Sequence, residues 1–268
     1  MTPAAPPLLE VDLGQGVRAA FTRSTGGDGA DGATAGFNLS LSVGGEPPEV
    51  VVERRRAVEH WLGAPVAFAH QVHGSDVLTV TSPPASVALV AGRADALVTT
   101  SAAVAVGVMV ADCVPVLLAD ASAGVVAAVH AGRRGVVAGV VEAAVEAMVA
   151  AGAVPGAVRA VVGPAVCGRC YEVPEALQRE VEAAEPGTAS TTGWGTPALD
   201  LVRAVRAQLH RAGVGRVDDV ARCTVEEDVW FSHRAAHAAG ARRAEGRFAA
   251  VVRLVSPRVA AAPSQVLG

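Results

Sequence analysis

The chain has 268 residues, 51% of them hydrophobic and 18% charged, with a formal net charge of -4. So much apolar side chain supports a sizeable core and argues against disorder, and the acidic balance offers no footprint for nucleic acid or an anionic membrane. Lysine is absent, which excludes a P-loop lysine, a pyridoxal-phosphate Schiff base and a lysine general base.

The N-terminus has neither a basic stretch nor a long apolar run, so no signal peptide is expected. No segment reaches 18 clean apolar residues, so no membrane span is expected either, and a cytoplasmic protein with four reduced cysteines follows. The first 50 residues read as loops, marked by Gly26-Gly27, Gly44-Gly45 and Pro47-Pro48. An amphipathic helix is predicted over 49–62, stopped by Gly63. Buried strands are predicted at 77–81, 95–99, 104–110, 114–119 and 124–129. A helix over 136–151 carries Glu142 and Glu146 on one face and ends at Gly152. A strand at 158–162, a helix over 198–211 and strands at 218–223 and 248–254 complete the pattern, with fraying expected over the last ten residues. Without a linker or repeat, this reads as one α+β domain over 1–268, its ordered core spanning about 16–255.

Two apolar strands flank the turn-like stretch Asp120-Ala121-Ser122-Ala123-Gly124. A hairpin centred between Ala121 and Ser122 would place Cys113 directly opposite His130. Facing Cβ atoms lie roughly 4.5–5.5 Å apart, which suits one metal bound by a thiolate and an imidazole. The alternative is a small buried Cys113 beside a hydrogen-bonded core His130.

QVHG (71–74), ADALVT (94–99), ADCVPVLLAD (111–120), HAG-x-RG (130–135), GPAVCGRCYEV (163–173), CT (223–224), FSHR (231–234) and EGR (245–247) occur in order along nearly the whole chain. Together they resemble the laccase-domain family, first described as multicopper polyphenol oxidases and now as purine nucleoside phosphorylases. The resemblance implies mixed sheets packed face to face with helices outside, in α/β/β/α-like layers. It implies metal ligands at His73, Cys113 and His130, holding zinc, with copper the alternative. Two histidines and a cysteine leave one tetrahedral position open, as in catalytic zinc sites, where a water has its pKa lowered towards about 7. A multicopper centre needs many histidines, and this chain has seven. His60, His210 and His237 have no evident partners, and His70 and His233 are read as non-ligands.

The resemblance further implies phosphorolysis of adenosine, inosine, guanosine or methylthioadenosine, with adenosine deamination as a second activity. The partners would be a purine nucleoside and phosphate, and the chain a monomer. Rival readings are a copper-dependent polyphenol oxidase, a cysteine hydrolase using Cys113, and a metal-stabilised binding protein. The turn His130–Gly135, opening a helix with Arg134 beside it, is the first candidate for a phosphate subsite, although its glycines equally suit a tight turn. The family has tryptophan where this chain has Arg133. Asn38, the only asparagine, reads as an amide for ribose or base, or as a turn former. Arg23 stands beside Ser24, where the family places arginine, and is the second anion candidate. Cys167-Gly168-Arg169-Cys170 lacks a second CxxC and reads as a loop over the site, with Tyr171, the only tyrosine, as a stacking or hydroxyl contact.

Overall fold

The computed structural model describes residues 5–255 except 25–35 and 242, so the Gly26-Gly27 loop and the last ten residues lie outside the described residues. Thirteen strands and six helices are described. Two short strands open the chain, β1 (Leu8–Val11) and β2 (Val17–Thr22), followed by α1 (Pro48–Leu62), β3 (Val66–Ala67), β4 (Val77–Thr79), β5 (Ala96–Thr99) and β6 (Ala105–Val110). Next come β7 (Val114–Asp120), β8 (Val125–Ala131), α2 (Arg133–Val137), α3 (Val140–Ala150) and β9 (Arg159–Val162). The remainder is α4 (Glu175–Ala184), β10 (Ala189–Thr191), β11 (Pro197–Leu199), α5 (Leu201–Arg211), β12 (Arg216–Asp219), α6 (His233–Ala236) and β13 (Phe248–Leu254).

Two mixed sheets face each other. One runs β1-β2-β13-β6-β3 and the other β12-β9-β7-β8-β5-β4. Because successive side chains alternate faces, one strand serves two cores. Val114, Val116 and Leu118 of β7 point to a core shared with α3 and α5, while Leu117 and Ala119 point between the sheets to meet Val108 of β6 and Phe248 and Ala250 of β13. Helix α1 covers the far side of the five-stranded sheet through Val58 and Leu62, which pack on Ala105, Ala249 and Val251. The result is one α+β domain in α/β/β/α layers.

Several boundaries differ from the sequence reading. The first 50 residues contain β1 and β2, an antiparallel pair whose alternation was too short to stand out between prolines and glycines. The helix expected over 136–151 is two helices, broken at Gly139, whose φ of 76° is left-handed. Gln208 of α5 donates its side-chain amide to Val136 O at 2.7 Å, satisfying a carbonyl at the break. Helix α5 starts at Leu201, where Asp200 caps the Arg203 N–H at 2.9 Å. The β7–β8 hairpin turns through four residues centred between Ser122 and Ala123, one position later than expected, so Pro115 faces His130.

Candidate active site

Cys113 therefore does not sit directly opposite His130. The register is offset by two residues, and an even offset preserves the face each side chain points to. Cys113 Sγ still reaches His130 from a bend just before β7. That bend is tight: Asp112 has φ 85°, a left-handed value. Its carboxylate accepts from the Thr224 hydroxyl at 2.6 Å and the Arg234 N–H at 2.7 Å, which offset the strain.

His73 arrives from the QVHG loop between β3 and β4, also with a left-handed φ of 60°. Asp95, at the start of β5, holds this loop in place. Its fully buried carboxylate accepts from the N–H groups of Val72, His73 and Gly74 at 2.7–3.2 Å, and from His130 Nδ1 at 2.8 Å. Burial alone would raise the Asp95 pKa, but these hydrogen bonds bring it down to about 2. With Nδ1 directed at Asp95, His130 presents Nε2 to the cleft, the carboxylate–histidine arrangement that orients metal-ligating imidazoles.

The ligand atoms of His73, Cys113 and His130 lie within 4.8 Å of one another, and the two rings meet edge to face at 4.7 Å between centroids. A cysteine with two imidazoles suits a transition metal, so the residues fit the ion that the resemblance implies. Burial would raise the Cys113 thiol, but the His130 charge and hydrogen bonds from both histidines lower it to about 6. Burial pulls His130 down, yet the Cys113 and Asp95 charges lift it to about 9. Each charge supports the other, so proximity favours the Cys113 thiolate and the His130 imidazolium together.

The glycines after His130 serve this cluster. A Cβ on Gly132 would lie 2.6 Å from His73 Cδ2 and 3.1 Å from Cys113 Sγ, and one on Gly135 would lie 2.9 Å from Gly74 O. They let the QVHG loop close on β8, and α2, only five residues long, offers no phosphate cradle. Arg134 is exposed and is not among the residues lining the cleft. Arg133 instead turns inward towards Tyr171.

A cleft of about 1000 Å³ opens over the cluster. Tyr171 lines it, with the Arg234 guanidinium stacked 5.2 Å from its ring centre. Burial first, then the Cys113 charge, raises the Tyr171 phenol against the pull of Arg133 and Arg234. Asn38 is fully buried and has no free amide for substrate. Its Oδ1 accepts from Ser40 and Arg247 N–H groups, and its Nδ2 donates to Ser40 and Val43 carbonyls. It shapes the 40–43 wall of the cleft rather than reaching into it. Arg23, at the end of β2, is outside the cleft lining.

The guanidinium groups lining the cleft are Arg55, Arg234 and Arg247, none of them singled out by the sequence reading. Arg55 is occupied with the Leu39 and Val87 carbonyls, and burial lowers it to about 10. Among the described residues, the Arg247 side chain bonds only Gly246 O. Arg234 and Arg247 belong to the FSHR and EGR motifs, which were the available signal. His233 and His237 also line the cleft beside Glu245, with ligand atoms within 4.8 Å of one another.

A model of the family described as multi-copper polyphenol oxidoreductase laccase matches residues 18–255. The chain is 50% identical to a purine nucleoside phosphorylase of Streptomyces griseus over 219 residues, 80% of this chain and 87% of that one. It is 47% identical to a purine nucleoside phosphorylase of Streptomyces coelicolor over 201 residues, 74% of this chain and 82% of that one. The fold matches the crystal structure of a Neisseria meningitidis protein with a TM-score of 0.78 at 33% identity, covering 92% of this chain and 99% of that one.

Proposed function

The chain belongs to the multi-copper polyphenol oxidoreductase laccase family, and from that premise we propose that it is a zinc-dependent purine nucleoside phosphorylase acting on adenosine, inosine, guanosine or methylthioadenosine, with adenosine deaminase activity. The observation carrying this reading is a cleft of nucleoside size, lined by arginines, over a cluster of two histidines and one cysteine. In phosphorolysis a phosphate oxygen bonds C1′ as the C1′–N9 bond breaks, giving ribose 1-phosphate and free base. The protein's task is to hold phosphate and nucleoside in line and to stabilise the charge that develops.

Arg247 has a guanidinium fork available for phosphate, and Arg234 adds positive charge from the Tyr171 side. Tyr171, kept protonated, supplies a neutral hydroxyl donor. Zinc held by His73, Cys113 and His130 would supply Lewis acidity at the cleft floor. Asp95 acts through His130 and the QVHG loop as a positioning residue.

Arg247→Ala should raise the phosphate KM in base release at least tenfold while leaving zinc content intact, and Arg134→Ala should change neither. Phosphate-independent base release by the wild type, or an unchanged phosphate KM in Arg247→Ala, would overturn the phosphate assignment.

One observation favours a second reading. Cys113, His130 and Asp95 are joined in the order of a cysteine-hydrolase triad, with the thiol lowered to about 6. Alkylation by iodoacetamide separates the two: protection by zinc supports the metal centre, and equal labelling with and without zinc supports the hydrolase.

A further inference from the structure

Val166 and Tyr171 of the 163–173 loop line the cleft, and the 220–227 segment packs against that loop. They meet where Ala165 bridges Cys223 and Thr224 N–H donates to Ala165 O. The sequence reading left Cys167-x-x-Cys170 as half of a motif, for want of a second CxxC. The fold brings the missing half to it, since Cys223-x-x-Glu226 has the same spacing with a carboxylate in the last place. The four ligand atoms lie within 4.8 Å of one another.

We propose that Cys167, Cys170, Cys223 and Glu226 form a second metal site, closed and structural, that binds zinc and staples these two segments together. Three sulfurs and one carboxylate oxygen complete a tetrahedral set with no place for substrate, and thiolate-rich sets select zinc among common divalent ions. The Cys167 N–H donates to Cys223 Sγ at 3.4 Å, and the N–H groups of Val225 and Glu226 approach the same sulfur. Burial raises the Cys223 thiol and these backbone donors offset it only in part, so a bound cation would have to displace the proton; what the donors show is a sulfur already held in one place. Cys170 Sγ lies 3.6 Å from Glu226 Oε1, so thiol and carboxylate already point to one place.

The competing partner of Glu226 is Arg169, at 3.2 Å and with 73% of its side chain exposed. An exposed pair of that kind contributes little and yields to a divalent ion. The loop path is fixed independently of any metal: a Cβ on Gly168 would lie 2.8 Å from Asp200 Cβ and 2.9 Å from Ser190 Oγ. Binding would displace the thiol protons and involve no change of oxidation state. The staple would fix both neighbours of the cleft, because Tyr171 follows Cys170 and Thr224, which holds Asp112, follows Cys223.

The test uses full-length protein prepared with zinc and reductant. Elemental analysis should give two zinc ions per chain in the wild type and one in Cys170→Ser. Cys113→Ala removes the only thiolate of the first site and leaves the second untouched, so it reads the proposal even if Cys170→Ser does not fold. Loaded with cobalt, Cys113→Ala should still show a thiolate-to-cobalt charge-transfer band. The proposal is overturned if Cys113→Ala shows no such band, if wild type and Cys170→Ser hold equal zinc, or if mass spectrometry finds a disulfide among Cys167, Cys170 and Cys223. Two zinc ions retained in Cys113→Ala, with the cobalt band present, would count against the first site alone, since removing its only thiolate should cost it one zinc.

Discussion

Asp95 organises the His73–Cys113–His130 cluster from outside the cleft lining. One buried carboxylate accepts four hydrogen bonds, three from the backbone of the QVHG loop and one from His130. Asp95→Asn keeps the size but replaces an acceptor with an amide that cannot serve two N–H groups. Zinc affinity at the first site should fall roughly 10–100-fold, the usual effect of removing a carboxylate behind a ligating histidine. Competition with a chelator measures it, and an affinity equal to wild type would remove Asp95 from its positioning role. Asp95 stands inside the ADALVT motif, so its presence was legible. Its role was not, because it depends on three N–H groups more than twenty residues away. The same holds for Cys223 and Glu226, which join Cys167 and Cys170 across 56 residues. Arg134, next in sequence to the cluster, is exposed away from the cleft lining, because adjacency to His130 does not fix which way a side chain leaves a five-residue helix.

At the scale of elements, the β7–β8 hairpin shows what pattern reading can and cannot fix. Both strands were recognisable from their valine-rich runs, but the register depended on the centre of a turn that composition leaves free. Asp120 decides it. Its Oδ1 accepts from the Ser122 and Ala123 N–H groups at 3.0 Å and the Ser122 hydroxyl at 2.6 Å, and its Oδ2 accepts from Val154 N–H at 3.0 Å. Burial pushes this carboxyl up, but the hydrogen bonds outweigh it and hold it below the usual carboxylate range. A folded-state pKa below the unfolded value of about 3.9 contributes stability above that pH and loses it as pH falls through the folded value. Asp120→Asn should cost about 1–3 kcal/mol at neutral pH, where hydrogen bonds to the charge are lost. The gap from wild type should narrow at pH 3, and denaturant unfolding at the two pH values checks this. An equal gap at both would mean the charge is irrelevant to the turn.

At the scale of the whole molecule, the layered architecture follows from strands that are apolar on both faces. All seven residues of β7 and all seven of β8 are buried. Such strands need cover on each side, and the motifs could order the chain but not assign strands to one sheet or the other. β13, formed near the end of the described chain, pairs with β2 on one side and β6 on the other, at the centre of its sheet. The six-stranded sheet, by contrast, is complete once β12 has been made at residue 219.

That placement has a consequence for biosynthesis. As the chain leaves the ribosome, the sheet carrying Asp95 and His130 can pair from segments already made, whereas the opposing sheet waits for its middle strand. Until β13 inserts, the edges of β2 and β6 are unpaired and the inner face of the finished sheet is bare, the condition in which nascent chains attract chaperones or one another. In refolding, pulse-labelled hydrogen exchange should protect the amides of β5, β7 and β8 before those of β2, β6 and β13, with simultaneous protection arguing for a single concerted step. A premature stop before Phe248 would leave His73, Cys113 and His130 present yet roofless, a product for proteases rather than a smaller working protein.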